Sequence, residues 1–169
     1  MKRLTFLAML ALPTMLMAQT VKSPNGDVEV KFALDGGKPT YEMSYKQKAV
    51  VKPSRLGLEL VKSKHASKGM DETDLMDGFT VTDTKTSSFD ETWTPVWGET
   101  STIRNNYNEL AVTLNQPATK RNIVIRFRVY DYGMGLRYEF PQQEELNYFI
   151  IKEEHTEFAM TGDHTAYWI

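Results

Sequence analysis

The chain contains no cysteine among its 169 residues. Disulfide bridges, thiolate nucleophiles, zinc sites built from cysteine and a lipid anchor on an N-terminal cysteine are therefore excluded. An excess of charge of one sign is also lacking, since 20 basic and 22 acidic residues leave a formal net charge of −2. This balance offers no general electrostatic attraction for nucleic acid or for an anionic membrane.

Helical periodicity and short catalytic motifs are missing as well. After the N-terminal region, no segment has an apolar repeat that predicts a helix longer than two turns. The sequences GxSxG and HExxH, the Walker loop and the Rossmann fingerprint are absent too. From its residues alone, the chain therefore offers no catalytic residue and no sign of a self-contained enzyme.

The first 18 residues have the pattern of an export signal. Two basic residues follow the initial methionine, Leu4 to Met17 is almost wholly apolar, and Ala18 is a small residue suited to cleavage. The apolar run is shorter than the roughly 20 residues that a membrane span needs, and a retained hydrophobic anchor is the alternative. We expect a signal peptide over 1–18, a periplasmic product free of the membrane after cleavage, and one domain over 19–169.

The clearest pattern in the mature chain runs from Asn122 to Phe140. Apolar and polar residues alternate before Asp131 and again after Gly133, which is the period of a strand with one buried face. Gly133 is able to take positive φ in the turn between them. Similar alternation recurs between Val28 and Leu114. Hairpins with one apolar face predict an all-β sandwich of two packed, mainly antiparallel sheets.

Other segments predict breaks in this pattern. We expect Pro53 to end a short strand that begins at Ala49. We expect Lys62 to Asp77 to form a long loop in which nothing needs burial, and Leu146 to Met160 to be mostly strand. The apolar end, Ala166 to Ile169, is unlike the polar end of most domains and predicts a truncated gene or a fragment.

Two tryptophans are the first candidates for a functional site. Trp93 and Trp97 are four residues apart and are followed by Glu99. Aromatic rings beside carboxylates can stack on sugar rings while polar groups bind the hydroxyls. The alternative, which the residues alone favour, is that the rings pack in the core or at a domain interface.

Three sets of charged residues are further candidates. An acidic segment comprises Asp71, Glu72, Asp74 and Asp77, but its spacing misses the EF-hand pattern and a solvated loop is favoured over a calcium site. Glu153 and His155 fall on one face of a predicted strand, with Glu154 on the other, and nothing specific supports metal binding or acid–base chemistry there. On the central hairpin, three arginines have two acidic cross-strand partners that contribute little at a surface: Arg126, Arg128 and Arg137, with Glu109 and Glu139.

Six segments, in order, resemble the N-terminal domain of glycoside hydrolase family 97. They are Ser23–Phe32, Val50–Leu60, Phe89–Glu99, Asn105–Leu114, Asn122–Gln143 and Leu146–Phe158. The resemblance implies a galactose-mutarotase-like β-super-sandwich, followed in the whole enzyme by a catalytic barrel and a small C-terminal β-domain. It also implies an exported, calcium-dependent α-glucosidase or α-galactosidase of polysaccharide utilisation.

The resemblance places the chemistry outside this chain. The carboxylates that act on the glycosidic bond come from the barrel, and the family's calcium-binding Glu follows the counterpart of Tyr167–Ile169. No catalytic or metal residue is therefore transferred, and the chain by itself is expected to be inactive.

The resemblance also implies partners for this domain. Its role is to pack on the barrel and to help wall a pocket for an α-linked oligosaccharide, with Trp93, Trp97 and Glu99 as candidates for that interface or wall. The alternatives are a free-standing carbohydrate-binding module without hydrolase activity and a structural or adhesion domain. Glucoside or galactoside preference, and inversion or retention, stay open.

Overall fold

The computed structural model of the protein describes residues 18–62, 74–165 and 167. The predicted signal peptide, Asp71, Glu72 and most of the apolar C-terminal segment lie outside the described residues. No helix in the described ranges is long and apolar enough to cross a membrane.

Ten β-strands and one 3-10 helix occur in the described ranges. They are β1 Gln19–Lys22, β2 Val28–Asp35, β3 Lys38–Tyr45, β4 Lys48–Arg55, β5 Leu58–Leu60, β6 Thr80–Trp93, β7 Ile103–Gln116, β8 Arg121–Tyr130, β9 Gly133–Glu139, the 3-10 helix Glu144–Leu146, and β10 Ile151–Glu154. Every strand pairing is antiparallel. The strands form two four-stranded sheets, ordered β1-β2-β3-β4 and β6-β7-β8-β9, and a small sheet of β5 and β10.

The two large sheets pack face to face, which confirms the predicted sandwich. On β8 the alternate residues from Ile123 to Val129 are at most 1% exposed, and Phe32 of β2 is fully buried opposite them. The Phe127 ring meets the rings of Phe32 and Tyr41 at centroid distances of 6.2 and 6.1 Å. The period of two in the sequence therefore identified the buried face correctly.

The tight turns show where positive φ is used. Gly36 and Gly37 connect β2 to β3 with φ of 57° and 85°, as expected of glycine. In the next turn Lys46 and Gln47 take positive φ, although neither is glycine. The expectation for Gly133 is not met, because Gly133 pairs with Tyr130 as the first residue of β9 and is not among the residues with positive φ.

Pro53 does not end its strand, contrary to the prediction. β4 continues through Pro53 to Arg55, and its register against β3 shifts twice along the way. β4 is an edge strand of its sheet. A proline there costs no ladder hydrogen bond, because the missing N–H can point away from the neighbouring strand.

The expectation that nothing between Lys62 and Asp77 needs burial is wrong. Leu75 is fully buried, and it exchanges two backbone hydrogen bonds of 2.9 and 3.0 Å with Leu58. The side chain of Gln116 also donates to the carbonyl oxygens of Asp74 and Asp77 at 2.8 and 2.7 Å. The end of this segment is therefore part of the domain core.

The segment from Leu146 to Met160 is mostly not strand, which also corrects the prediction. Only Ile151–Glu154 of this segment forms a strand. Most of the rest runs along the sandwich in irregular conformation, with Leu146 buried and the Phe149 ring 4.7 Å from that of Phe140. This segment is therefore held by apolar side chains that are buried at irregular intervals, rather than by strand pairing.

Candidate functional site

The first strand of the β6–β7 hairpin, β6, is largely exposed. Register places Thr84 opposite Val112 and Thr86 opposite Leu110, so these threonines lie on the core side of β6. The facing sheet contacts this one through β1 on β7 and β2 on β8. Among the described residues, those of β6 are exposed except for the half-buried Thr84. A long, ordered strand is thus available for contact on both faces.

The tip of this hairpin holds the candidate residues Trp93, Trp97 and Glu99. Trp93 ends β6 opposite Ile103 and is 46% exposed, whereas Trp97 lies in the connecting loop and is 90% exposed. Glu99 lies two residues further along the same loop and is exposed. Neither tryptophan belongs to the buried core of the described residues.

A row of aromatic rings, which sequence reasoning missed, lies across the outer face of the same sheet. Phe89, Tyr107, Tyr130 and Tyr132 follow one another at centroid distances of 5.3, 5.3 and 5.4 Å. Tyr132 at the end of the row is 84% exposed. The register of β6, β7 and β8 brings these rings together, and alternation in one strand does not reveal it.

A network of ion pairs continues along this outer face. Arg126 donates two hydrogen bonds of 2.7 and 2.8 Å to Glu139 and also bonds Glu109. Arg128 Nε donates to the other Glu109 oxygen at 2.8 Å, and Arg137 Nε donates to Glu139 at 2.7 Å. The predicted cross-strand partners are confirmed for Arg126 and Arg128, whereas Arg137 and Glu139 lie on the same strand. Glu109 is only 8% exposed, so this member of the network is buried and does not lie at the surface as expected.

The pKa shifts of the carboxyl groups do not favour a general acid. Within the described ranges, every carboxyl group with a resolved pKa shift is shifted downward. Hydrogen bonds from Arg126 lower the pKa of Glu139 to about 2. A glycosidase needs a carboxylic acid with a raised pKa to protonate the leaving oxygen, and these residues have the opposite tendency.

The residues Glu153 and His155 come together with a third residue that the sequence did not suggest. Glu59 of β5 lies opposite Glu153 of β10, and His155 Nε2 lies 3.5 Å from a Glu59 oxygen. Glu154 instead accepts a hydrogen bond from Thr156 at 2.6 Å, consistent with its assignment to the opposite face. Glu59 was missed because β5 and β10 are far apart in sequence. The alternation around Leu58 and Leu60 marks it only as outward-facing.

The calcium that the family resemblance implies does not fit these residues. Calcium takes about six to eight oxygen ligands. The one group of three potential ligands within the described ranges includes an imidazole nitrogen, and Lys152 is 2.6 Å from Glu59. Asp74 is not a member of that group, and its Oδ1 accepts the backbone N–H of Leu60 at 2.8 Å.

Comparison with known proteins agrees with this architecture. The family model described as glycosyl-hydrolase 97 N-terminal matches residues 21–169. A glycoside hydrolase family 97 enzyme from Pseudoalteromonas sp. strain K8, solved in complexes with panose and with acarbose, is similar at 34% identity and a TM-score of 0.76. The similarity covers 87% of this chain and 21% of that one.

A more distant similarity concerns the fold alone. The crystal structure of a beta-arabinopyranosidase matches at 23% identity and a TM-score of 0.71, over 84% of this chain and 21% of that one. This chain therefore spans about a fifth of the length of the solved proteins that it matches.

Proposed function

The chain belongs to the glycosyl hydrolase 97 N-terminal family, and from this premise we propose that it is the supporting, carbohydrate-facing sandwich of an exported α-glycosidase. The observation that carries the proposal is the family match over residues 21–169. The similar enzyme of strain K8 was solved with panose and with acarbose, which supports an α-linked oligosaccharide as the substrate class. The chemistry itself belongs to the part of the enzyme outside this chain.

In this proposal the β6–β7 hairpin is the contact between the sandwich and the remainder of the enzyme. Exposed aromatic rings at the tip, Trp93 and Trp97, gain most by burial against a partner, and Glu99 supplies a carboxylate beside them. The tip either packs on the catalytic barrel or lines the sugar pocket. Calcium dependence is likewise assigned to the remainder of the enzyme, because the described residues do not fit that ion.

A carbohydrate-binding module that acts alone is the second candidate function. The row from Phe89 to Tyr132 favours it, since aromatic side chains are the usual platforms for sugar rings. This function needs sugar affinity in the isolated chain, whereas a supporting domain does not.

We predict that the isolated chain neither hydrolyses 4-nitrophenyl α-glucoside or α-galactoside nor binds maltotriose at millimolar concentration. Colourimetric assay and calorimetry measure the two properties.

In the complete enzyme, Trp97→Ala should lower kcat/KM about tenfold or more, because a lost wall or interface contact of this size costs roughly 1–3 kcal/mol. The control is Tyr45→Ala, which removes an aromatic ring that is 43% exposed on the other sheet and should leave kcat/KM unchanged.

The two candidate functions separate cleanly in this experiment. Sugar binding by the isolated chain without hydrolysis would establish the module instead. Hydrolysis by the isolated chain would contradict both candidates. An unchanged kcat/KM in the Trp97 variant of the complete enzyme would remove the hairpin tip from the proposal.

Export is proposed from the pattern of residues 1–18. We predict that the product isolated from the periplasm begins at Gln19, because the small residue Ala18 precedes the expected cleavage site. Mass spectrometry of the intact protein checks this. Replacing Leu7 with Arg should interrupt the apolar run and leave unprocessed protein in the cytoplasm. Detection of a full-length, membrane-bound product would establish the retained anchor instead.

A further inference from the structure

A histidine and two glutamates converge on the small sheet of β5 and β10. Glu59 and Glu153 are paired directly across the two strands, and His155 follows the end of β10. His155 Nε2 lies 3.5 Å from Glu59 Oε2 and 3.9 Å from Glu153 Oε2. All three donor atoms lie within 4.8 Å of one another. Two carboxylate oxygens and one imidazole nitrogen therefore face one small volume.

The backbone holds these three side chains in place. Leu58 and Leu60, on either side of Glu59, are 2% and 8% exposed, so β5 is anchored in the core and Glu59 points outward. The backbone N–H of His155 donates to the Gly57 carbonyl at 2.9 Å. The approach of the three donors follows from strand register and is not an accident of flexible termini.

The spacing of the donors is close to that around a single metal ion. Zinc binds imidazole nitrogen and carboxylate oxygen at about 2.0–2.2 Å, which puts neighbouring ligand atoms of a tetrahedral site roughly 3.4 Å apart. Two of the observed separations, 3.5 and 3.9 Å, are near this value. The third separation, between the two carboxylate oxygens, is within 4.8 Å.

The pairing of two carboxylates favours a cation between them, whereas Lys152 already neutralises part of the charge on Glu59. Like charges directly opposite one another destabilise a strand pair, and Glu59 and Glu153 are such a pair. Lys152 contacts Glu59 through Oε1 at 2.6 Å, which leaves Oε2 directed at His155.

We propose that Glu59, Glu153 and His155 form a binding site for one divalent transition-metal ion of the zinc class. A mixed set of oxygen and nitrogen donors suits zinc, whereas calcium and magnesium require oxygen ligands. Three protein ligands leave a coordination position for water. The ion would join β5 to β10 across more than 90 residues of sequence, which stabilises the small sheet.

The competing interpretation is a set of ion pairs without metal. In that interpretation Lys152 Nζ pairs with Glu59 at 2.6 Å and His155 Nε2 hydrogen-bonds Glu59 at 3.5 Å, so the cluster is held together without an ion. The two interpretations differ in the response to zinc, and they also differ in the expected effect of removing Lys152.

The first experiment titrates the chelator-treated protein with zinc chloride at pH 7.5. Calorimetry should show one ion bound per chain, and the unfolding temperature should rise by roughly 5 °C or more at a hundredfold excess of free zinc over Kd. Calcium chloride at the same concentration should leave the unfolding temperature unchanged. The absence of both heat and stabilisation at 1 mM zinc would overturn the proposal.

Matched variants locate the ion. His155→Gln and Glu153→Gln should weaken zinc binding at least tenfold, while circular dichroism confirms that each variant is folded. His164→Gln removes a histidine outside the cluster and should leave zinc affinity unchanged. Lys152→Met should maintain or strengthen the affinity, because it removes a competing cation and no ligand. Zinc affinity equal to wild type in His155→Gln would also overturn the proposal.

Discussion

Replacing Phe127 with alanine is expected to lower the free energy of unfolding by about 3–5 kcal/mol, the usual cost of removing a buried aromatic ring. Phe127 is fully buried on β8. Its ring contacts Phe32 and Tyr41 of the opposite sheet, so the cavity opens between the two layers. Surrounding strands cannot close it without losing their own register. Urea unfolding, followed by far-ultraviolet circular dichroism, measures the change.

Two controls define what the Phe127 result means. Phe127→Leu maintains an apolar side chain and should cost about 1 kcal/mol. Tyr132→Ala removes a ring that is 84% exposed and should change stability by less than about 0.5 kcal/mol. The slope of the urea dependence should stay constant in all three variants. A cost below about 1 kcal/mol for Phe127→Ala would mean that the two sheets do not pack as described.

Replacing Glu109 with glutamine is expected to cost about 2–3 kcal/mol, which is large for a residue on the outer face of a sheet. Glu109 is 8% exposed and joins Arg126 to Arg128. Burial by itself opposes ionisation, yet hydrogen bonds from the two arginines outweigh it and lower the pKa of Glu109. Glutamine removes this charge and leaves two guanidinium groups with less compensation. Unfolding in urea at pH 7 measures the loss.

An exposed ion pair on the same sheet is the matched control. Arg104 donates two hydrogen bonds of 2.8 and 2.7 Å to Asp90, with geometry like that of Arg126 and Glu139. Both partners are more than half exposed, so Asp90→Asn should hardly change the unfolding midpoint. Equal effects of the two substitutions would show that burial does not determine the contribution of Glu109.

The same network makes stability depend on pH. The pKa of Glu139 is about 2 in the folded protein against an ordinary value of 4.5. Its contribution is therefore fully present above about pH 4.5 and is lost as the pH falls from there through about pH 2. The unfolding midpoint should fall between pH 5 and pH 3, and Glu139→Gln should flatten that dependence. An acid dependence that is unchanged in this variant would contradict the network.

The described parts of the sandwich were largely predictable because alternation is a property of neighbouring residues. Ile123, Ile125 and Phe127 point the same way in any extended strand, and their burial followed directly. Pro53 was misread because the effect of a proline depends on whether its strand lies at an edge, and strand order is not visible in a single segment. Leu75 was missed for a related reason, since the few apolar residues of that polar stretch have no sustained period.

The candidate site was less predictable than the fold. Spacing identified Trp93, Trp97 and Glu99 as candidates. It did not show whether either tryptophan is exposed or buried. Their exposure depends on the facing sheet, which contacts β7 and β8, whereas β6 is largely exposed. The convergence of Glu59 with His155 likewise required the pairing of β5 with β10.

Sequence by itself determined the central hairpin and its buried face, the all-β class and the resemblance to a glycoside hydrolase family. These depend on residues that are close along the chain or on motifs in fixed order. Tertiary structure alone decided that Glu109 is buried, that the β6–β7 hairpin is open to contact, and that Glu59, Glu153 and His155 meet. Each of these depends on which distant strands become neighbours. That choice is made by the packing of the whole core, because burial of one strand depends on what covers it.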